Sequence, residues 1–156
     1  IVVLDEAYFE YVEESHYPDG LKRLDRYPNL VVTRTFSKIH GLAGLRVGYA
    51  VSHPQIADVL NRVRQPFNVN IPALAAAQAA LGDLDHIENS KGENTAGLVQ
   101  LAEGLDALGF TQIPSVANFI AFDCGGDAET VYQRVTAGTA RDNERFLQAL
   151  KQVTRR

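Results

Sequence analysis

Short apolar runs that alternate with helix-type segments constrain the fold of this chain more than any other feature. β-Branched and apolar residues predict strands at residues 1–4, 29–35 and 46–52, and the first two have the composition of buried strands. Apolar spacing and cap signals predict helices at residues 53–65, 71–81 and 83–108. Strands that alternate with helices in this way are typical of the α/β class.

The texture changes after Gly109, which is expected to cap the third helix. Residues 117–124 predict a strand, residues 127–134 a short helix, and residues 139–153 a terminal amphipathic helix. We therefore expect two domains, one over residues 1–88 and a small α+β domain over residues 89–156. The opening strand needs neighbours, so we also expect that residue 1 is not the natural start of the protein.

Composition argues against several classes of partner. The formal net charge is −4 and no basic run is present, so no nucleic-acid partner is expected. No apolar run approaches the ~20 residues of a membrane span. The four histidines lack metal-ligand spacing and Cys124 is the single cysteine, so we expect no metal and no internal disulfide. A cytoplasmic location fits this composition.

Polar side chains follow the strand ends, where ligands bind in open α/β sheets. Asp5 and Tyr8 come after the first strand, and Ser37 and Lys38 come after the second. The glycine-rich stretch that follows can turn tightly and return Arg46 to the same rim. The sequence therefore predicts a site with a carboxylate, a phenol, two hydroxyls and an amine, to which Arg46 returns.

These groups match the needs of pyridoxal phosphate. Its aldehyde forms a Schiff base with a lysine amine, for which Lys38 is the candidate. Its ring nitrogen needs a carboxylate such as Asp5, and Tyr8 can bond its ring hydroxyl. Thr35, Ser37 and Arg46 can hold its phosphate, and these three complete the predicted cofactor site.

The motifs DEAY at residues 5–8 and TFSKIHGLAGLRVGYA at residues 35–50 resemble fold-type I pyridoxal-phosphate aminotransferases, most of all the histidinol-phosphate aminotransferase family. The likeness extends over essentially the whole chain, including QPFNVN at 65–70 and VANFIAF at 116–122. It implies part of a large domain, with a mostly parallel sheet and helices on both faces, followed by a small C-terminal domain. It also implies a homodimer that transfers an amino group between histidinol phosphate and 2-oxoglutarate in histidine biosynthesis.

Three other interpretations stay open. The same motifs occur in aromatic-amino-acid aminotransferases and in threonine-phosphate decarboxylases. Family members are more than twice as long as this chain, so the likeness implies that an upstream half is absent. An inactive truncated remnant is then the non-enzyme interpretation.

Two further residues are candidates for substrate contact. Asn118 contacts substrate or simply ends a strand. Arg134 is either the family's carboxylate-binding arginine or the last residue of a short helix. Because the family has a strand and a loop at this point, we expect a missing segment near residues 133–135. A break there would separate consecutive Cα atoms by far more than ~3.8 Å.

Overall fold

Two units make up the chain in this computed structural model, Ile1–Ile87 and Glu88–Arg156, and the structure describes residues 1–125 and 139–154. The predicted domains divide beside this boundary, and the small-domain assignment stays a prediction. The first unit contains β1 (Val2–Asp5), β2 (Leu30–Thr35), β3 (Gly48–Ser52), α1 (Pro54–Val63) and α2 (Ile71–Leu81). Helix α3 (Leu84–Ala107) begins there and continues into the second unit, which adds β4 (Gln112–Ile113), β5 (Ala121–Phe122) and α4 (Ala140–Thr154). Short 3₁₀ turns lie at Phe9–Tyr11, Leu21–Arg23 and Ala43–Leu45.

The sheet of the first unit has the order β1-β2-β3. Strands β1 and β2 are parallel, with Asp5 opposite Thr33. Strand β3 is antiparallel to β2, with Gly48 opposite Thr35. The sheet is thus mixed within the described residues, rather than mostly parallel. The carboxyl ends of β1 and β2 and the start of β3 therefore lie at the same end of the sheet, which we call the rim.

Strand β1 is exposed, so the prediction of a buried strand is wrong for this structure. Ile1 is 80% exposed and Val3 is 62% exposed. The physical reason is that β1 pairs with β2 alone and has both faces uncovered among the described residues. Central strand β2 is buried as predicted, with Val32 fully shielded from solvent.

Strand β3 starts two residues later than predicted. Arg46 adopts a left-handed backbone conformation, with φ 54° and ψ 50°, which cannot continue a strand. Gly48 then begins the strand very close to β2. A Cβ atom at this position would lie 2.9 Å from the carbonyl oxygen of Arg34, so only glycine fits without a backbone shift.

The helices of the first unit start at side-chain caps. His53, one of two predicted caps for α1, accepts a hydrogen bond at Nδ1 from the backbone N–H of Gln55. Asn70 caps α2, which has the predicted bounds, through a 2.8 Å bond from the N–H of Ala73. Ala73 and Ala77 are buried against the segment that follows β2, which confirms that the alanine-rich helix packs closely into the core.

Helix α3 ends in a left-handed glycine turn, as predicted. Gly109 has φ 77°, and its N–H donates to the carbonyl of Asp106 at 2.9 Å. The N–H of Phe110 donates to the carbonyl of Leu105 at 3.0 Å, which completes a Schellman motif. Leu105 and Phe110 then belong to the core of the second unit.

The second unit contains a pair of short strands where the sequence predicts one longer strand. Of the strand predicted at residues 117–124, the structure has β5 at Ala121–Phe122 alone, and these two residues pair antiparallel with β4. Sequence reasoning missed β4 because two residues carry no periodicity. The predicted terminal helix is confirmed as α4. The predicted helix at 127–134 and the expected break near Arg134 lie outside the described residues.

Candidate active site

The end of β1 presents the predicted carboxylate at the rim of the sheet. Oδ1 of Asp5 accepts hydrogen bonds from the hydroxyl of Thr33 at 3.4 Å and from the N–H of Ala7 at 3.1 Å. The first bond shows that Asp5 and Thr33 project from the same face. The second is an Asx turn, which begins the segment that carries Tyr8.

Lys38 and Tyr8 are neighbours in the structure. Nζ of Lys38 lies 5.1 Å from the centre of the Tyr8 ring, and both side chains are half-buried. The chain then turns at Gly41, whose N–H donates to the carbonyl of Lys38 at 2.9 Å and whose φ is 70°. Tyr11 packs beside Tyr8, and burial raises the pKa of its phenol, with further upward contributions from Tyr8 and Glu10.

The three predicted phosphate ligands form one hydrogen-bonded group. The N–H of Ser37 donates to Oγ1 of Thr35 at 3.0 Å. Arg46 donates from Nη1 to Oγ of Ser37 at 3.4 Å and to the carbonyl of Ala43 at 2.7 Å. A guanidinium beside two hydroxyls at an exposed rim suits a phosphate.

Packing explains why the glycine-rich segment returns Arg46 to the lysine. Phe36 and Val47, at the two ends of the segment, are buried in one core cluster. The N–H of Phe36 donates to the carbonyl of Val47 at 3.2 Å, and the N–H of Leu42 donates to the carbonyl of Phe36 at 2.9 Å. These bonds close the segment into a loop, so its polar residues stay at the rim.

A buried ion pair beside the rim was missed by sequence reasoning. Glu6 is 2% exposed, and its Oε2 accepts from Nε and Nη2 of Arg34 at 3.0 and 2.8 Å. Burial lowers the pKa of Arg34, but the hydrogen bonds and charge of Glu6 outweigh it, and the net shift is upward. The sequence places Glu6 and Arg34 near the ends of β1 and β2, which was the one available sign of an ion pair. Only the register of the two strands shows that these side chains are in contact.

The family follows from a comparison with known proteins. The sequence pattern of the family "Aminotransferase class I and II" matches residues 1–152. The chain belongs to the class I and II aminotransferases. The site geometry agrees with this membership, because the lysine, the carboxylate and the phosphate-type cradle lie on the strand ends of one sheet.

Individual aminotransferases are similar to most of the chain. It is 51% identical to histidinol-phosphate aminotransferase 1 of Nitrosococcus oceani and 53% identical to histidinol-phosphate aminotransferase 2 of Pseudomonas aeruginosa. Each match covers 98% of this chain and 47% of the relative, so the chain spans about half the length of these curated relatives. The alignment with a relative from Pseudomonas fluorescens (strain Pf-5) runs over 177 positions, so that relative carries residues with no counterpart among the 156 here.

A solved structure of the same family shares the fold. Histidinol-phosphate aminotransferase from Sinorhizobium meliloti, in complex with pyridoxal-5'-phosphate, matches with a TM-score of 0.87 and 29% identity. The match covers 98% of this chain and 48% of that one. The α/β architecture of this aminotransferase chain is therefore that of the fold-type I enzymes.

His40 follows Lys38 by two residues, so the sequence allows it either a packing role or a direct role at the rim. Its ring is 9% exposed and packs 4.9 Å from the ring of Phe36, and Nδ1 has no hydrogen-bond partner among the described residues. Burial lowers the pKa of His40; Glu10 opposes this shift and His86 adds to it. The geometry favours the packing role over a direct role at the rim.

The two predicted substrate contacts, Asn118 and Arg134, stay predictions. Asn118 belongs to the second unit, where it lines a cavity of about 640 Å³ together with Asn94 and Asn143. Arg134 lies outside the described residues. Within residues 1–125 and 139–154, no group of three or more acidic, histidine or cysteine side chains is placed to hold a metal ion. None of the helices described is long and apolar enough to cross a membrane.

Proposed function

We propose that the protein containing this chain is a pyridoxal-phosphate-dependent aminotransferase that acts on histidinol phosphate and 2-oxoglutarate. The observation that carries the proposal is the contact of Lys38 with Tyr8 at the rim. The hydrogen-bonded group of Thr35, Ser37 and Arg46 lies at the same end of the sheet. The substrate follows from about 50% identity to enzymes named for histidinol phosphate.

The donor set of this rim fits pyridoxal phosphate. Lys38 would hold the aldehyde carbon, and the carboxylate of Asp5 would face the ring nitrogen. Tyr8 would bond the ring oxygen. Ser37 and Arg46, with Thr35, would hold the phosphate through charge-assisted hydrogen bonds. Arg46 adopts an unfavourable backbone conformation for a non-glycine residue, and such conformations cluster at ligand sites.

When bound, pyridoxal phosphate supplies an electron-withdrawing ring that stabilises negative charge on the substrate carbon. The carboxylate of Asp5 favours a proton on the ring nitrogen, because a nearby anion stabilises the charged form. Nζ of Lys38, once released by the amino substrate, takes a proton from the carbon that bears the amino group and later returns a proton as general acid. Arg46 and Ser37 keep the reacting groups in register with Lys38 by holding the phosphate.

Several finer parts of the assignment belong to the same proposal. Residues 89–156 form the small C-terminal domain, and Asn118 and Arg134 contact the substrate. A segment is missing near residues 133–135; the longer alignment with the Pseudomonas fluorescens relative agrees with an absent segment but gives no position for it. The intact enzyme is a cytoplasmic homodimer. No contact among the described residues favours an aromatic-amino-acid substrate, a decarboxylase or an inactive remnant over this function.

Borohydride reduction of the cofactor-loaded protein tests the proposal. Peptide mapping is expected to find the pyridoxyl label on Lys38, and Lys38→Ala is expected to lose both label and activity. Lys22→Ala is the matched control, because Lys22 has a side chain that is 83% exposed and lies outside the rim. A label on another lysine would refute the site. A kcat/KM higher for phenylalanine or tyrosine than for histidinol phosphate would refute the substrate.

A further inference from the structure

We propose that the buried Glu6–Arg34 ion pair is a positioning device for the cofactor side of the rim, acting through Asp5 and Tyr8. The inference rests on the proposed function. It assigns a role to two charged residues that lie outside the donor set and face away from it. Strand geometry, hydrogen bonding and burial carry the argument.

The two partners stand between the site residues along the chain. Glu6 directly follows Asp5 and comes two residues before Tyr8, and Arg34 lies between Thr33 and Thr35. Side chains alternate between the faces of a strand. Because Thr33 bonds Asp5 on the rim face, Arg34 projects from the opposite face, where it meets Glu6.

The backbone of Glu6 links strand β1 to the turn that carries Tyr8. Its N–H donates to the carbonyl of Thr33 at 2.9 Å, which extends the ladder between β1 and β2. Its carbonyl accepts from the N–H of Phe9 at 3.1 Å, which closes the turn around Tyr8. Fixing the side chain of Glu6 therefore fixes the backbone on both sides, at Asp5 and at Tyr8.

The carboxylate of Glu6 is held by two other segments. Oε1 accepts from the N–H of Gly20 at 2.7 Å, and Oε2 takes two bonds from Arg34. Arg34 also donates to Asp19 at 3.3 Å, and its guanidinium lies 3.9 Å above the ring of Phe9. The side chains of Glu6 and Arg34 are 1% and 11% exposed. Removal of Arg34 takes the cationic partner from a buried carboxylate, and removal of Glu6 leaves the guanidinium with the longer 3.3 Å contact to Asp19. Such a network holds one geometry rather than several.

The test compares variants of the pair with an uncharged core variant. In the intact protein we measure the affinity of the cofactor-free form for pyridoxal phosphate and the visible circular dichroism of the bound cofactor, which reports ring orientation. Glu6→Gln and Arg34→Gln are each expected to weaken cofactor affinity at least tenfold and to change the dichroism. The double variant is expected to lose no more than the worse single variant.

Val32→Ala is the matched control, because Val32 is fully buried on the same strand and on the same face as Arg34. It lowers stability but removes no charge and no hydrogen bond of the ion pair, so cofactor affinity is expected to stay within twofold of the parent. Arg34→Lys keeps the positive charge but loses the paired hydrogen bonds of the guanidinium, so an intermediate cofactor affinity is expected. Arg34→Lys carries the test if a glutamine variant does not fold.

Two results would overturn the inference. One is parental affinity and dichroism in Glu6→Gln or, if that variant does not fold, in Arg34→Lys. The other is an equal loss of affinity in Val32→Ala, which would reduce the ion pair to a contribution to stability. Failure of the parent to bind pyridoxal phosphate is distinct from both, because it would refute the proposed function itself and the inference with it.

Discussion

Arg46 has a left-handed backbone conformation, which is disfavoured for a residue with a Cβ atom. The conformation places its guanidinium within 3.4 Å of the Ser37 hydroxyl. A strained backbone lowers stability, so we expect it to be kept at Arg46 because the charged side chain binds a ligand at the rim.

Replacement of Arg46 with alanine is therefore expected to weaken pyridoxal phosphate binding. Loss of a charged hydrogen bond costs about 2 kcal/mol, or about 30-fold in affinity. Alanine keeps the Cβ atom, so the change reports the guanidinium rather than the backbone. Absorbance titration measures the effect, with Arg62→Ala on exposed α1 as the control. Unchanged affinity in Arg46→Ala would contradict the phosphate role.

His40 makes a prediction about pH at the same scale. Burial lowers the pKa of its imidazole below the ordinary 6.5. Below pH 6.5 the unfolded chain takes up a proton at this residue that the folded chain resists. The free energy of unfolding is therefore expected to fall as pH decreases from 6.5 toward the lower pKa of the folded state, and the contribution of His40 is complete above 6.5.

Urea denaturation of the parent and of His40→Phe between pH 8 and pH 5 measures this contribution. Phenylalanine keeps a ring against Phe36 and does not titrate. The stability difference between the two proteins is expected to be constant from pH 8 to pH 7 and to shift in favour of the variant below pH 6.5. A difference that stays constant to pH 5 would show that His40 is not desolvated in the folded protein.

At the scale of elements, helix α3 depends on a glycine where α4 crosses it. A Cβ atom at Gly104 would collide with the side chain of Leu147, whereas one at Gly92 on the same helix would meet nothing within 4 Å. Close helix approach thus explains a residue that otherwise lowers helix stability. The cost of Gly104 to the helix is offset by its packing against α4.

Valine at these two glycines is expected to have opposite effects. Gly104→Val overpacks the contact with Leu147 and should lower the free energy of unfolding by about 1–3 kcal/mol. Gly92→Val adds only helix propensity, so stability should stay level or rise by a few tenths of a kcal/mol. Thermal and urea denaturation measure both changes. Equal effects at the two positions would refute the packing argument.

For the whole molecule, exposed apolar residues gather around the connection between α1 and α2. Phe67 is 96% exposed, Ile71 is 82% and Val63 is 73%. Exposed apolar groups of this kind are typical of surfaces that another chain or segment covers. We expect the proposed homodimer to cover this surface.

Sedimentation of the intact protein tests the dimer. The parent is expected to be a dimer, and Phe67→Asp is expected to shift it toward monomer, because a carboxylate resists burial in an apolar interface. Val99→Glu, at a 52% exposed position of α3, is the control and should leave the dimer intact. A parent that is monomeric and fully active would end the claim.

Local sequence alone determined most elements and the members of the candidate site. Apolar periodicity, cap residues and Gly109 act within a few residues, so the bounds of α2 and the ends of α3 followed from the chain. Lys38 and Arg46 could also be predicted as site residues, because the glycine-rich stretch that contains them is a local motif. The two-residue strand β4 was not, because so short a segment has no period.

Tertiary structure decided what depends on residues distant in sequence. The antiparallel direction of β3 and the contact of Glu6 with Arg34 depend on strand pairing and register. The exposure of β1 depends on what packs against its two faces. A one-residue change of register would turn Arg34 to the other face and break the ion pair. The residue types at the rim are thus read from the chain itself. The ion pair on the opposite face of the sheet forms only once the strands have paired.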